Sequence, residues 1–241
     1  RWTHVAPGGI EITADETATI RATAMAASAA IGAGALTISI SDAGARANNV
    51  ILSKVHATIT DSEGATAGNI KLAATNESLI DAQVKSLSAA VSGGAVAIAA
   101  AIGSSTAHNY VGWTATGLPQ AAEVKTTIVR SALDSEGTLT QTAKAAHTIA
   151  AGISSVSAAI AAGAVGGAGS GAGVDVVNKV SSIVESSISA SNTNGGIRIS
   201  GDISLRAEDT STILADGEAS AVSASFAPLG IAAAVGKAVG S

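Results

Sequence analysis

The groups in this chain that could do chemistry are few, and their spacing builds none of the common sites. Four histidines occur, His4, His56, His108 and His147. Each stands alone, without an HExxH pair or a second ligand at metal spacing. There is no cysteine, so thiolate metal sites and disulfides are excluded. The carboxylates are scattered along alternating segments. Asp209 and Asp216 are the pair that could serve a carbohydrate hydrolase, which needs one acid and one base or nucleophile flanking the sugar bond. No aromatic cluster accompanies them to hold a sugar. "GKAVGS" near the C-terminal end lacks the earlier glycine of a phosphate loop and the Ser/Thr after Lys237. "SGAGVDVV" from Ser170 is one residue short of a calcium-binding nonapeptide, with Ser170 where a glycine belongs, and such motifs bind in tandem. "NES" at Asn76 matches a glycosylation sequon at the level of chance. The expectation is therefore no catalytic residue, no cofactor and no metal site.

What the chain does contain is a repeat. A glycine followed by a short alternating run appears four times: "GGIEITAD" from Gly8, "GNIKLAAT" from Gly68, "GTLTQTAK" from Gly137 and "GDISLRAE" from Gly201. Taken from Gly9, Gly68, Gly137 and Gly201, the units span 9–67, 68–136, 137–200 and an incomplete 201–241. After each glycine comes a pair at Thr19-Ile20, Leu79-Ile80, Thr148-Ile149 or Thr212-Ile213. A tract of Ala, Gly, Ser and Val follows. The three complete tracts end near Asn48, Asn109 and Asn178, and the spacing suggests an asparagine ladder inside a turn. A Val/Ile-alternating segment closes each unit. The second unit carries an insertion, Gly112 to Ala122, with Trp113 and Pro119. With Tyr110 it is the candidate for a protruding contact loop. The array reads as an excerpt of a longer one.

Composition narrows the classes. Net charge is −5, only 13% of residues are charged, and no basic run exists. Nucleic acid, whose phosphates need clustered positive charge, is not an expected partner. Nearly half the residues are apolar, yet two Trp, one Tyr, one Phe and one Met are all the bulk beyond aliphatics. Such a chain cannot fill a wide core, so its interior must be thin.

The longest uncharged stretch bears on the membrane question. "SAAIAAGAVGGAGSGAGVDVV" from Ser157 meets no charge before Asp175. It has the GxxxG spacing of membrane helices, but it lacks basic flanks and aromatic belts. Its glycines each cost about 1 kcal/mol inside a helix. The equivalent tract of the first unit turns into strict alternation, "ALTISIS", with Leu36, Ile38 and Ile40 on one face and Thr37, Ser39 and Ser41 on the other. Period-two patterning predicts strands. The expected fold is all-β, a parallel β-helix (β-solenoid) in one continuous segment over 1–241. Each unit of about 64 residues would divide into about three coils of about 21, lined by inward Ala, Val, Ile and Leu. Glycine and asparagine would take the corners.

The order from "GDISLRAEDTSTILADGEASAVSAS" through the Gly/Ala tract to "VESSISAS" resembles repeats of giant secreted bacterial exoproteins. These are haemagglutinin-like filamentous proteins and leukotoxin-like autotransporter passengers. The resemblance covers essentially the whole chain. It implies an extracellular, non-enzymatic β-solenoid, the shaft or stalk of a surface adhesin or a surface fibre. Its partners would be neighbouring repeats of the same chain and, through Gly/Ala faces, further copies, without membrane insertion of this segment. The alternatives are a self-assembling filament or sheath subunit, a carbohydrate-active β-helix enzyme, and a membrane-inserted assembly.

Overall fold

A computed structural model describes residues 8–189 and 196–240; His4 lies outside them. Among the described residues every regular element is a strand. The reason is local. As far as Ala24, and apart from Glu16, β1 (Ile10–Ala33) alternates Ile and Ala with charged or Thr positions, so one face can be buried and the other wetted. Its 24 residues would extend about 80 Å. A bend at Gly34-Ala35 reverses the chain, and β2 (Leu36–Ile51) runs back along β1. Ser41 of β2 bonds Ser28 of β1 through their hydroxyls at 3.0 Å, which places the two arms face to face. The short strands β3 (Lys54–Thr60) and β4 (Glu63–Thr66) complete the first rung.

The pattern then repeats. The second rung is β5 (Ile70–Val111), β6 (Ala122–Val129) and β7 (Ala132–Ser135). The third is β8 (Leu139–Val180), β9 (Ser182–Ser189) and β10 (Ile197–Ile199). The fourth is β11 (Ile203–Asp209), β12 (Thr212–Phe226) and β13 (Leu229–Gly240). β5 and β8 each run through both arms, bending near Gly94 and Gly163. Pairing between these strands is parallel, with β5 between β1/β2 and β8, and β8 between β5 and the last three strands. Two further sheets, β3-β6-β9 and β4-β7-β10, line the returning side. The architecture is all-β with parallel sheets and is compatible with a β-solenoid.

The stacking period differs from the expected one. Ile10 lies beside Ile70, Ile70 beside Leu139, and Leu139 beside Ile203. Neighbouring strands are thus a whole unit apart, and the expected three coils of about 21 residues per unit do not form. One unit makes one turn because its arms are 16 to 24 residues long and bend only at the Gly-Ala tip. The register also shifts the first repeat mark. Gly8, two residues before Ile10, is the counterpart of Gly68, Gly137 and Gly201.

The tip needs its glycines. A Cβ on Gly94 would stand 1.9 Å from the Gly34 carbonyl oxygen, and one on Gly163 would stand 2.1 Å from that of Gly94. The interior changes character along the arms. At the proximal end, away from the tip, Ile70, Leu72, Leu139, Val124, Ile128 and Leu133 form an aliphatic core, each side chain worth about 1.5–3 kcal/mol of burial. Toward the tip the core thins to Ala90, Ala97, Ala99, Ala101, Ala159 and Ala161. Serine and threonine join them there. Thr37 bonds Ser92 at 2.7 Å, Ser88 bonds Ser41 at 2.9 Å, and Ser86 bonds both Ser105 and Ser155 at 3.0 Å. Of the expected lining of Ala, Val, Ile and Leu, the large members fill the proximal half and only Ala, with Ser and Thr, remains near the tip. In the distal half the arms lie too close for Leu or Ile, and those residues point outward instead: Thr37, Ser39 and Ser41 are buried, while Leu36, Ile38 and Ile40 are 62–69% exposed.

Candidate functional site

The inward asparagines form a ladder. Asn49 donates through Nδ2 to Asn109 Oδ1, and Asn109 donates to Asn178 Oδ1, each at 2.8 Å. The first member is Asn49, not Asn48, whose side chain faces outward beside His108. The ladder lies within straight strands rather than in a turn, because parity and not a corner turns these amides inward. The left-handed backbone positions belong to other residues. Asp61 (φ 48°) and Arg130 (φ 46°) stack at the corner after β3 and β6. There the Arg130 guanidinium holds Asp61 in a two-pronged ion pair, and this hydrogen bond and charge hold the Asp61 carboxyl below its usual range.

A second polar group sits deeper. His147 is fully buried on the inward face of β8, and neither ring nitrogen has a hydrogen-bond partner. Burial pushes its pKa down, against a smaller upward pull from Asp209. One rung earlier, Asn76 donates to Ser53 at 2.6 Å and accepts from Ser78 at 2.8 Å. Asn76 is fully buried, so the sequon is out of reach of a modifying enzyme in the folded chain. Burial pushes the Asp209 carboxyl up, but hydrogen bonds from Ser182 and from Ser211 outweigh this and hold it below its ordinary value.

The candidate carboxylate pair is not assembled. Asp209 is in register with buried Ala145, and Asp216 is in register with outward Gly152. Seven residues apart on one arm, they face opposite sides of the sheet and cannot flank one bond. Among the described residues no cluster of three metal-ligating side chains occurs. His56 and His108 each approach one carboxylate, Glu123 at 3.3 Å and Asp175 at 3.5 Å. Ser157–Val177 lies inside β8, and no helix among the described residues is long and apolar enough to cross a membrane.

The insertion does not project its aromatic rings. Tyr110 is buried and Trp113 half-buried, and the Lys179 ammonium lies 4.8 Å from the Trp113 ring centre. Gly112 and Gly117 (φ 71° and 80°) fold the loop back, and Thr114 N–H donates to the Leu118 carbonyl at 2.9 Å. Leu118 is the exposed side chain of bulk on this loop.

The outer faces divide as the interior does, with the opposite sign. Proximally they carry charge. Glu123 receives Lys54 at 2.8 Å and Lys125 at 2.9 Å, which hold its pKa at about 2, and Lys71 meets Glu11 at 2.8 Å. Distally they are apolar on both sides. On the β1 side Ile31, Val91, Ile160 and Phe226 are exposed. On the β2 side so are Ile38, Ile98, Leu229 and Ile231. Only strand parity could have found this face in the sequence, and parity alone does not say which side is inward. Comparison with protein families, curated proteins and solved structures finds no match for the chain. The groups brought together here pair, stack and pack, and among the described residues no group of three or more His, Cys, Asp or Glu side chains could hold a metal ion.

Proposed function

We propose that this chain is a structural repeat segment of an extracellular protein, a β-solenoid shaft or fibre element without catalysis. The observation that carries the reading is the register. The first three units pair through both arms and the returning strands, the fourth adds its arms, and the Asn49–Asn109–Asn178 ladder follows the stack. Such a body is extended by adding units, each contacting only its neighbours. The rise is about 4.8 Å per unit of 60 to 69 residues, so the chain forms a broad blade rather than a thin rod.

Electron microscopy of the chain, with a screen of polysaccharide hydrolysis and glycan binding, tests this. The expected particle is a flat blade about 80 Å long and about 20 Å high, with a 4.8 Å spacing across its height and no turnover. Hydrolysis of any glycan that survives loss of contaminating enzymes, or a compact particle without the 4.8 Å spacing, overturns it.

A further inference from the structure

The distal outer face of the β2 side has a composition unlike the exterior of a monomer. Leu36, Ile38 and Ile40 lie on the first rung, Ile98 and Ile102 on the second, Val165 on the third, and Leu229, Ile231 and Val235 on the fourth. Each is 43–78% exposed. Together they leave on the order of 1,000 Å² of apolar surface in water, where a monomer's largest patch is about 300–600 Å². A stable interface buries about 800 Å² on each partner, so the face has the size a dimer needs. No Asp, Glu, Lys or Arg lies in the four aligned segments 36–41, 96–101, 165–170 and 229–234, and the first charge on the face is Asp42, at its border beside Ile102.

The relief of this face is uneven. Ile98 is in register with Gly167, and Gly167 with Ile231. Gly167 and Gly171, the latter between Ile102 and Val235, are thus flanked by ridges on the second and fourth rungs, and Gly169, between Ala100 and Ala233, continues the furrow along the third. A groove of about 550 Å³ opens there, lined by Val96, Ile98, Val165, Gly167, Leu229 and Ile231. A Cβ added at Gly167, Gly169 or Gly173 would meet nothing within 4 Å, and none has a positive φ. The fold of one copy does not need these glycines, and glycine within a strand weakens it.

We propose that this face docks a second copy of the chain, with a two-fold axis that sets the Ile98 or Ile231 ridge of each copy into the glycine furrow of the other. A two-fold contact requires one patch to complement itself, and ridge beside furrow does so. The sheets then approach closer than the usual spacing of about 10 Å. The proposal rests on the structural reading above and names the surface through which it assembles. A lipid surface is the competing occupant. Bilayer-facing bands carry Trp or Tyr at their borders, and none edges this face among the described residues.

Sedimentation velocity across a concentration series, with thermal unfolding of the same samples, is the test. Wild type dimerises. Ile98→Lys and Ile231→Lys, both outward changes, weaken the dimer by about 100-fold or more, as expected for a charge placed in a buried contact. Gly169→Val fills the furrow, weakens the dimer by at least about 10-fold, and keeps or raises the Tm of the monomer because valine favours strands. A wild type monomeric at every concentration, Gly169→Val that leaves the dimer intact, or wild type that stays monomeric while co-sedimenting with phosphatidylcholine vesicles overturns the proposal. In each case a flat, catalytically inert blade in the microscope leaves the structural reading standing.

Discussion

Replacing Asn109 by leucine tests the buried ladder. Asn109 is fully buried and holds two amide bonds of 2.8 Å, one to each neighbour. The substitution removes both, each worth about 1 kcal/mol net. It also strands Asn49 Nδ2 and Asn178 Oδ1 in the interior, at about 1–3 kcal/mol each for a buried group without a partner. Burial of the new methyl groups returns about 1–2 kcal/mol. The net loss is about 2–7 kcal/mol. The triple variant Asn49→Leu, Asn109→Leu, Asn178→Leu strands nothing, and it removes Asn178 Nδ2, which already lacks a partner. It should therefore be less destabilised than Asn109→Leu alone, within about 1 kcal/mol of wild type. Urea unfolding followed by far-UV circular dichroism and tryptophan fluorescence measures both. If the triple variant loses the sum of three single losses, the amides act independently and the ladder reasoning is refuted.

At the tip, Gly94→Ala and Gly163→Ala force a Cβ to within about 2 Å of a stacked carbonyl, so each should lose at least about 1–3 kcal/mol in the same urea assay, whereas Gly173→Ala should gain up to about 1 kcal/mol. His147 has a folded pKa below its unfolded value of about 6.5, so the stability it confers is full above that pH and falls as pH drops toward the folded pKa. Tm measured from pH 7.5 to 5 should therefore decline more steeply for wild type than for His147→Leu. Glu123, held at about 2, contributes stability above pH 4.5 that is lost as pH falls toward 2; Glu123→Gln should flatten that acid limb in a pH series of Tm.

Much of the architecture was legible because alternation is a local signal. "GIEI", "NIKL" and "ALTISIS" each state that one face differs from the other, and the structure makes strands of all three. The recurring pairs Thr19-Ile20, Leu79-Ile80, Thr148-Ile149 and Thr212-Ile213 stack on one another. The division of a unit into coils was not legible, since no residue mark recurs inside a unit and only the position of the bend sets the turn length. The orientation of Leu36, Ile38 and Ile40 was hidden for a related reason. Hydrophobicity points such residues inward, and the closeness of the opposite arm, a tertiary property, turns them out. Asn49 was missed for Asn48 by one place, which in a strand is the difference between core and solvent. His147 could have been found by parity, as it shares its inward face with Ala143 and Ala145.

The whole-unit register has a kinetic consequence. A residue of β1 finds its ladder partner only after 60 further residues have been gathered in, and β5 finds its own after 69. Closing a loop of that length is entropically demanding, and chains dominated by distant pairings fold slowly. Whichever rung closes first has no edge to build upon, so it serves as the nucleus for its neighbours. Each later rung meets a finished edge that dictates its register residue by residue. Assembly is then directional, beginning with the earliest unit to close and advancing one blade-width at a time.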